Sequence, residues 1–341
     1  MNNVAHEINP LPPGFQARPV VLDDLEAAVE LFNRCGVAQT GHPEATLAQL
    51  RGEWELPDFD LQNSTRAVFT ADGRIVAYNE VWDMQKIPNR IWIWGRVHPD
   101  YLGRGIGGYL MDWAETRAQQ AIPRVPAGAR VSFQVGTPSG YQPAVRFFEK
   151  RGYKLIRHFW NMQIDLTAEP PPPQLPGGLI IRSMVPDKEE RAVLWATRDA
   201  FKDHWGFTEQ PFEEEYERRR HIMANDPDYD PTLWLVVMDG EEIAGVSLCR
   251  LKTLEDPDMG WINTLGVRRP WRRQGLGVAL LQQSFRELYL RGQRRVGLGV
   301  DADSLTGATR LYEKAGMAVS RQYNTYEKEL RPGQELSRQA V

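Results

Sequence analysis

Residues 268–285 read RRPWRRQGLGVALLQQSF. Arg268, Arg269, Arg272 and Arg273 crowd the approach to Gly275 and Gly277, and the glycines open a run with helical spacing. Glycine lets a ligand approach the backbone closely. The first amides of a helix have no intrahelical acceptors and lie at the positive end of its dipole. A glycine turn into a helix therefore binds anions, phosphate above all. Arginines beside it add charge where a polyanion would lie. Arg272 and Arg273 are the expected ligand contacts. Arg268 and Arg269 read equally well as solvated or salt-bridged surface. A weaker copy, VHPDYLGRGIGGYLMDWA, stands at 97–114.

Two nucleotide motifs fail on residues. A dinucleotide fingerprint needs G-x-G-x-x-G, but Leu280 stands at the third glycine. A P-loop needs G-K-[ST], which is absent.

The elements around these turns repeat. Runs at 90–97 and 260–267 lead into the two turns, and the runs at 129–136 and 294–301 follow the two helices. Short helices at 143–153 and 307–317 end at Gly152 and Gly316, as C-caps do. Leu280, Leu281, Phe285 and Leu288 give the helix after the second turn one apolar face. Each half opens with a helix and two strands about Asp72-Gly73 or Asp239-Gly240, a reverse-turn pair. Pro170 to Pro173 exclude helix and central strand, and at about 3.1 Å per residue they span roughly 12 Å. The chain divides into 15–166, a Pro-rich linker at 167–177, and 178–331. Helices on a mixed sheet, an α+β class, are expected in each half.

The 341 residues allow two or three domains, and 42% hydrophobic with 25% charged content is ordinary for a soluble chain. A net charge of −4 argues against a general nucleic-acid binder. Cys35 and Cys249 make no CxxC and no metal site. The first residues lack a signal-peptide pattern, and no apolar run is long enough for a bilayer. A cytoplasmic protein without metal or membrane partners is expected.

RRQGLG resembles the R/Q-x-x-G-x-G/A motif of the GNAT acyltransferase superfamily, with Arg272, Gly275 and Gly277 at the motif positions. GVDADSLTGATRLYEKAGM (299–317) is similar to that superfamily's closing strand and helix. The duplicated plan resembles the tandem GNAT proteins of the mycothiol synthase type. The resemblance implies a sheet splayed at its fourth strand, with the pantetheine arm of acetyl-CoA in the splay. It implies that Leu265 and Val267 hold the arm, that the amides of Arg273, Gln274, Gly275, Leu276, Gly277 and Val278 hold the pyrophosphate, and that Tyr312 protonates the departing thiolate. Ser304 stands about where relatives often carry an asparagine that touches the arm. The acceptor implied is a small-molecule amine. A protein amine, or a non-catalytic acyl-CoA-binding module, is the rival reading.

The base is less defined. Trp261 stands where many relatives carry glutamate. Asp203, His204 and Glu213 to Glu215 lie in the region that shapes the acceptor pocket in relatives, and His204 has a side-chain pKa near neutrality. In the first half Val97, Gly103, Arg104, Gly105, Ile106, Gly107 and Gly108 would form a second CoA site. However, Leu102 replaces the motif's arginine, and Phe148 replaces Tyr312. The expectation is a degenerate, non-catalytic first half. It would bind acyl-CoA without turnover or serve structure alone; catalysis with another acid is the remaining alternative.

Overall fold

Left-handed glycines punctuate the chain at the turns expected of them. Gly73 and Gly240 close the two hairpins at φ 86° and 58°. Gly152 and Gly316 follow the short helices at φ 82° and 92°. In each case the next residue's amide returns to a helix carbonyl, Tyr153 to Phe148 and Met317 to Tyr312, both at 3.0 Å. That bonding satisfies carbonyls which a helix end would otherwise orphan.

The structure, a computed structural model, describes residues 8–304 and 307–338. The opening residues read for targeting (1–7) and Leu305–Thr306 of the closing motif lie outside the described residues. The strands are β1 (Phe15–Arg18), β2 (Thr65–Thr70), β3 (Ile75–Trp82), β4 (Arg90–Val97), β5 (Val131–Pro138), β6 (Lys154–Asp165), β7 (Leu179–Ser183), β8 (Trp234–Asp239), β9 (Glu242–Arg250), β10 (Met259–Val267), β11 (Arg295–Asp301) and β12 (Ala318–Arg331). The helices are α1 (Leu25–Thr40), α2 (Leu47–Trp54), α3 (Leu61–Ser64), α4 (Ile106–Ala118), α5 (Gln142–Lys150), α6 (Glu190–Phe201), α7 (Phe212–Ala224), α8 (Leu276–Leu290) and α9 (Ala308–Lys314).

The chain folds into two compact units, and neither is one contiguous stretch. The first takes the residues up to Ile156 with Arg218–Asp226 and Asn324–Leu336; the second takes Arg157–Glu217, Pro227–Tyr323 and the residues from Ser337. In the first unit the strands run β1-β2-β3-β4-β5, with the end of β12 beside β5. In the second, most of β6 lies beside β11, followed by β10, β9, β8 and β7. The linear division at the prolines thus differs from the folded units by two long strands and by Arg218–Asp226, most of it the end of α7. The closing strand of each half belongs mainly to the other half's unit. Glu327 of β12 accepts from Arg130, Ser132 and Gln134 around β5, at 2.5, 2.8 and 3.1 Å. Such buried, charge-assisted bonds define one register for β12.

Both units carry the expected splay. In the second, β10 pairs in parallel with β11 over Met259–Ile262 only. Its other edge continues along β9 to Val267, with the register shifting past Asn263. A bulge of this kind bends the strand. In the first, β4 pairs with β5 over Arg90–Trp92 and then parts from it. The helix after each splayed strand anchors it. Leu280, Leu281, Phe285 and Leu288 of α8 are all buried, as their spacing predicts, and each such side chain contributes on the order of 1.5–3 kcal/mol.

Candidate active site

The second unit's turn is built as the glycines require. Arg273 and Gly275 take left-handed backbone, at φ 64° and 86°. A Cβ added at Gly275 would meet open space, so the left-handed backbone rather than crowding calls for glycine there. The first helical bond is from the Ala279 amide to the Gly275 carbonyl, at 3.1 Å. The amides of Leu276, Gly277 and Val278 are left facing out of the first turn. Arg273, Gln274, Gly275 and Val278 are exposed, while Leu276 is buried as the helix anchor. Gln274 donates to the Pro270 carbonyl at 3.3 Å.

The arginines divide differently from the expectation. Arg272 does not present its guanidinium at the turn. It donates to Asp203 at 2.9 Å, to the Ala200 carbonyl at 2.9 Å and to the Val267 carbonyl at 3.1 Å. It therefore ties the turn to the end of α6. Arg268 is likewise engaged, with Asp199 at 2.8 Å and over the rings of Trp195 and Trp271. Leu265 and Val267 lie on the parted stretch of β10, opposite Ser247 and Gly245 of β9.

The Arg272 guanidinium engages the Asp203 carboxylate in an ion pair at 2.9 Å. His204 stacks on Phe201, ring centroids 4.5 Å apart. Burial, and then the Arg272 charge, lower its pKa, so it is neutral near pH 7. Glu213 pairs with Arg191, and Glu215 with Arg198. The Trp261 ring covers Gly297, where a Cβ would come within 2.5 Å of it. Tyr312 is buried on α9 among Leu298, Met317 and their neighbours. Burial raises its pKa to about 12, and its hydroxyl has no hydrogen-bond partner among the described residues. A neutral, unengaged hydroxyl can donate a proton to a departing group. Ser304 follows β11, its amide bonded to the Asp301 carbonyl at 3.0 Å.

The first unit holds an open cleft. A cavity of about 820 Å³ runs from Gly103, Gly105, Gly107 and Gly108 to the parted edges of β4 and β5, Ile93–Val97 and Val135–Thr137. Gly103 and Gly105 take φ 76° and 85°, and the Tyr109 amide makes the first helical bond to Gly105 at 3.1 Å. Arg104 lies over the Tyr101 ring and donates to the Asp100 carbonyl. Ile106 is buried, and the Val97 carbonyl accepts from the Cys35 thiol. A smaller cavity of about 320 Å³ is lined by Trp82, Trp92, Trp94, Glu53 and Glu80. Sequence reading passed over Glu80 and its neighbours. The available signal was a lone carboxylate in an apolar strand, VAYNEVW, near tryptophans spaced two apart.

The comparisons bear on both units. The acetyltransferase (GNAT) family matches residues 194–317, and an acetyltransferase (GNAT) domain matches residues 63–155. A GCN5-related N-acetyltransferase from Sphaerobacter thermophilus is 36% identical, covers 96% of this chain and 99% of its own, and superposes with a TM-score of 0.76. The chain belongs to the GNAT acetyltransferase family. It is a tandem GNAT protein, and the family's activity, acetyl transfer with acyl-CoA as donor, comes with that membership. A mycothiol acetyltransferase from Thermobispora bispora is 29% identical over 228 residues, 64% of this chain and 70% of the relative. A tandem GNAT protein from the clavulanic acid pathway shares the fold at 14% identity, covering 94% of this chain and 99% of its own, with a TM-score of 0.67. Among the described residues no three His, Cys, Asp or Glu side chains converge as metal ligands, and no helix is long and apolar enough to cross a membrane.

Proposed function

We propose that this GNAT protein transfers an acetyl group from acetyl-CoA to a primary amine of a small molecule, by direct attack in a ternary complex, with the second unit as one catalytic centre. The observation that carries the reading is the parting of β10 from β11 above the Arg273–Val278 turn, with Tyr312 on the helix that follows β11. The parted edge of β10 offers unpaired backbone groups to the pantetheine amides and the thioester carbonyl. The outward amides of α8, with exposed Arg273, suit the pyrophosphate.

The amine nitrogen attacks the thioester carbon while both are held in one cleft, so proximity supplies much of the rate. The C–N bond forms and the C–S bond breaks. Tyr312 donates a proton to the sulfur, and neutral His204 is the candidate to take one from the amine. A small-molecule acceptor is supported by the mycothiol acetyltransferases among the relatives. A cytoplasmic location is the reading of two free, buried thiols, Cys35 and Cys249.

The test is calorimetric titration of acetyl-CoA into wild type and Gly277→Glu. Loss of one binding site in the folded variant supports the assignment. Equal binding overturns it.

A further inference from the structure

We propose that the first unit holds its own acceptor site, in which Glu53 and Glu80 bind a compact primary ammonium with a flat apolar body, and that Glu80 takes its proton for acyl transfer at the splay of β4 and β5. The delivery of the acyl group by acyl-CoA rests on the family reading above; the amine site does not.

The cavity of about 320 Å³ draws on four elements: Phe32 of α1, Glu53 of α2, Trp82 and Glu80 of β3, and Trp92 and Trp94 of β4. Strand alternation sends Trp92, Trp94 and Arg96 to one face of β4 while Ile91 and Ile93 pack on the other. The walls are therefore indole rings, which favour a flat apolar body and a cation over their faces. Glu44 also lines the cavity, but Arg96 holds both its oxygens at 2.6 Å. Glu80 is different. It is buried, and its hydrogen-bond partners are neutral: the Tyr78 hydroxyl at 2.6 Å and the Trp82 indole at 2.7 Å. Those donors orient the carboxylate without cancelling its charge. Glu53 lines the same cavity, is exposed to water and has no ion-pair partner among the described residues; desolvation, and then the neighbouring Glu80 charge, push its pKa up to about 7. Arg96, over the Trp94 ring, is the cation beside this cavity, and Glu44 already pairs with it, so the carboxylates of Glu53 and Glu80 leave the cavity with an excess of negative charge that selects a cationic ligand.

A second, independent observation links this pocket to the larger cleft. Trp94 lines both cavities, and Tyr78, which lines the larger one, donates to Glu80 in the smaller. Asn79, the strand residue between them, also lines the cleft and is only 3% exposed. Its Nδ2 donates to the Leu110 carbonyl, yet its Oδ1 has no partner. A buried orphan acceptor there suits an amide N–H of an extended acyl carrier.

Burial pushes the Glu80 pKa up to about 7, which suits proton exchange near neutrality. The ammonium gives one proton to Glu80. The freed nitrogen pair attacks the thioester carbon, forming C–N and then breaking C–S. Sulfur leaves with the C–S pair and takes a proton from water or from Tyr141, whose residue lines the cleft. The new amide nitrogen loses its remaining extra proton to water. The net products are an N-acyl amide, free CoA thiol and one proton.

The test uses the full chain with phenethylamine as probe and acetyl-CoA as donor. Calorimetry should show that phenethylamine binds wild type. Glu80→Gln and Glu53→Gln, each folded by thermal melting, should each weaken binding at least tenfold. In a Gly277→Glu background, which removes the second unit's contribution, CoA release should fall at least 100-fold on adding Glu80→Gln. Absence of phenethylamine binding to wild type, or binding indifferent to both carboxylate variants, overturns the proposal. Glu80-dependent binding without any CoA release overturns its catalytic part. If acetyl-CoA fails to bind while phenethylamine binds through Glu80, the family-based function falls and the amine site stands.

Discussion

Arg272 donates to Asp203 at 2.9 Å and caps the carbonyls of Ala200 and Val267 with the same guanidinium. The motif arginine thus acts as a strut beneath the glycine turn. Arg272→Gln leaves a carboxylate and two carbonyls short of donors, so it should cost about 2–3 kcal/mol of stability. Denaturant unfolding checks this. Asp203→Asn should lose stability too, but should keep a kcat within a few-fold of wild type.

Arg273 is exposed at the turn itself, as is Arg269 just before it, so the loss of Arg273 should read out on the ligand and not on the fold. Arg273→Gln should raise the KM for acetyl-CoA about 5–10-fold, with more effect at low salt. Melting should be unchanged within about 0.5 kcal/mol. An equal loss of stability would mean that the side chain is structural.

Tyr312→Phe removes a hydroxyl without a hydrogen-bond partner among the described residues. Stability should stay within about 0.5 kcal/mol, while the second unit's kcat falls about 10²–10⁴-fold. The raised pKa has its own signature. Tyr312 ionises near 12 in the folded chain against 10 when exposed, so the unfolded state loses its proton first. Its contribution to stability is complete below pH 10 and disappears as pH rises through 12. The variant and wild type should therefore converge below pH 10 and separate above it.

Glu80 gives the opposite experiment at lower pH. Glu53 on α2 and the Glu44–Arg96 pair face it, with Tyr78 and Trp82 on its own strand. Its folded pKa of about 7 lies above the ordinary 4.5. The folded chain holds that proton more tightly, so the favourable term is complete below pH 4.5 and is lost by about pH 7. Glu80→Gln removes the penalty, and it should stabilise the protein by about 1–3 kcal/mol at pH 8 and by nothing near pH 4. Melting curves across that range check the sign.

Much of this was readable along the chain. The repeat, the two hairpins, the glycine turns and the apolar face of α8 each depend on residues a few positions apart. Local backbone rules set them: left-handed glycines at φ 86° and 85° before α8 and α4, and a hydrophobic stripe every third or fourth residue. Burial at Tyr312 and its place after β11 follow from the same spacing.

The tertiary structure alone decided three things. It placed most of β6 in the second unit and the end of β12 in the first, because strand pairing is chosen by complementary edges and buried bonds such as Glu327 to Ser132, and adjacency along the chain does not enforce it. It turned Arg272 inward, because two acceptors distant in sequence, Asp203 and the Ala200 carbonyl, converge with the nearby Val267 carbonyl on one guanidinium. It enclosed Glu80 among tryptophans from two strands. A carboxylate's burial and pKa arise from what packs around it, and for Glu80 those neighbours come from β3, β4, α1 and α2 together.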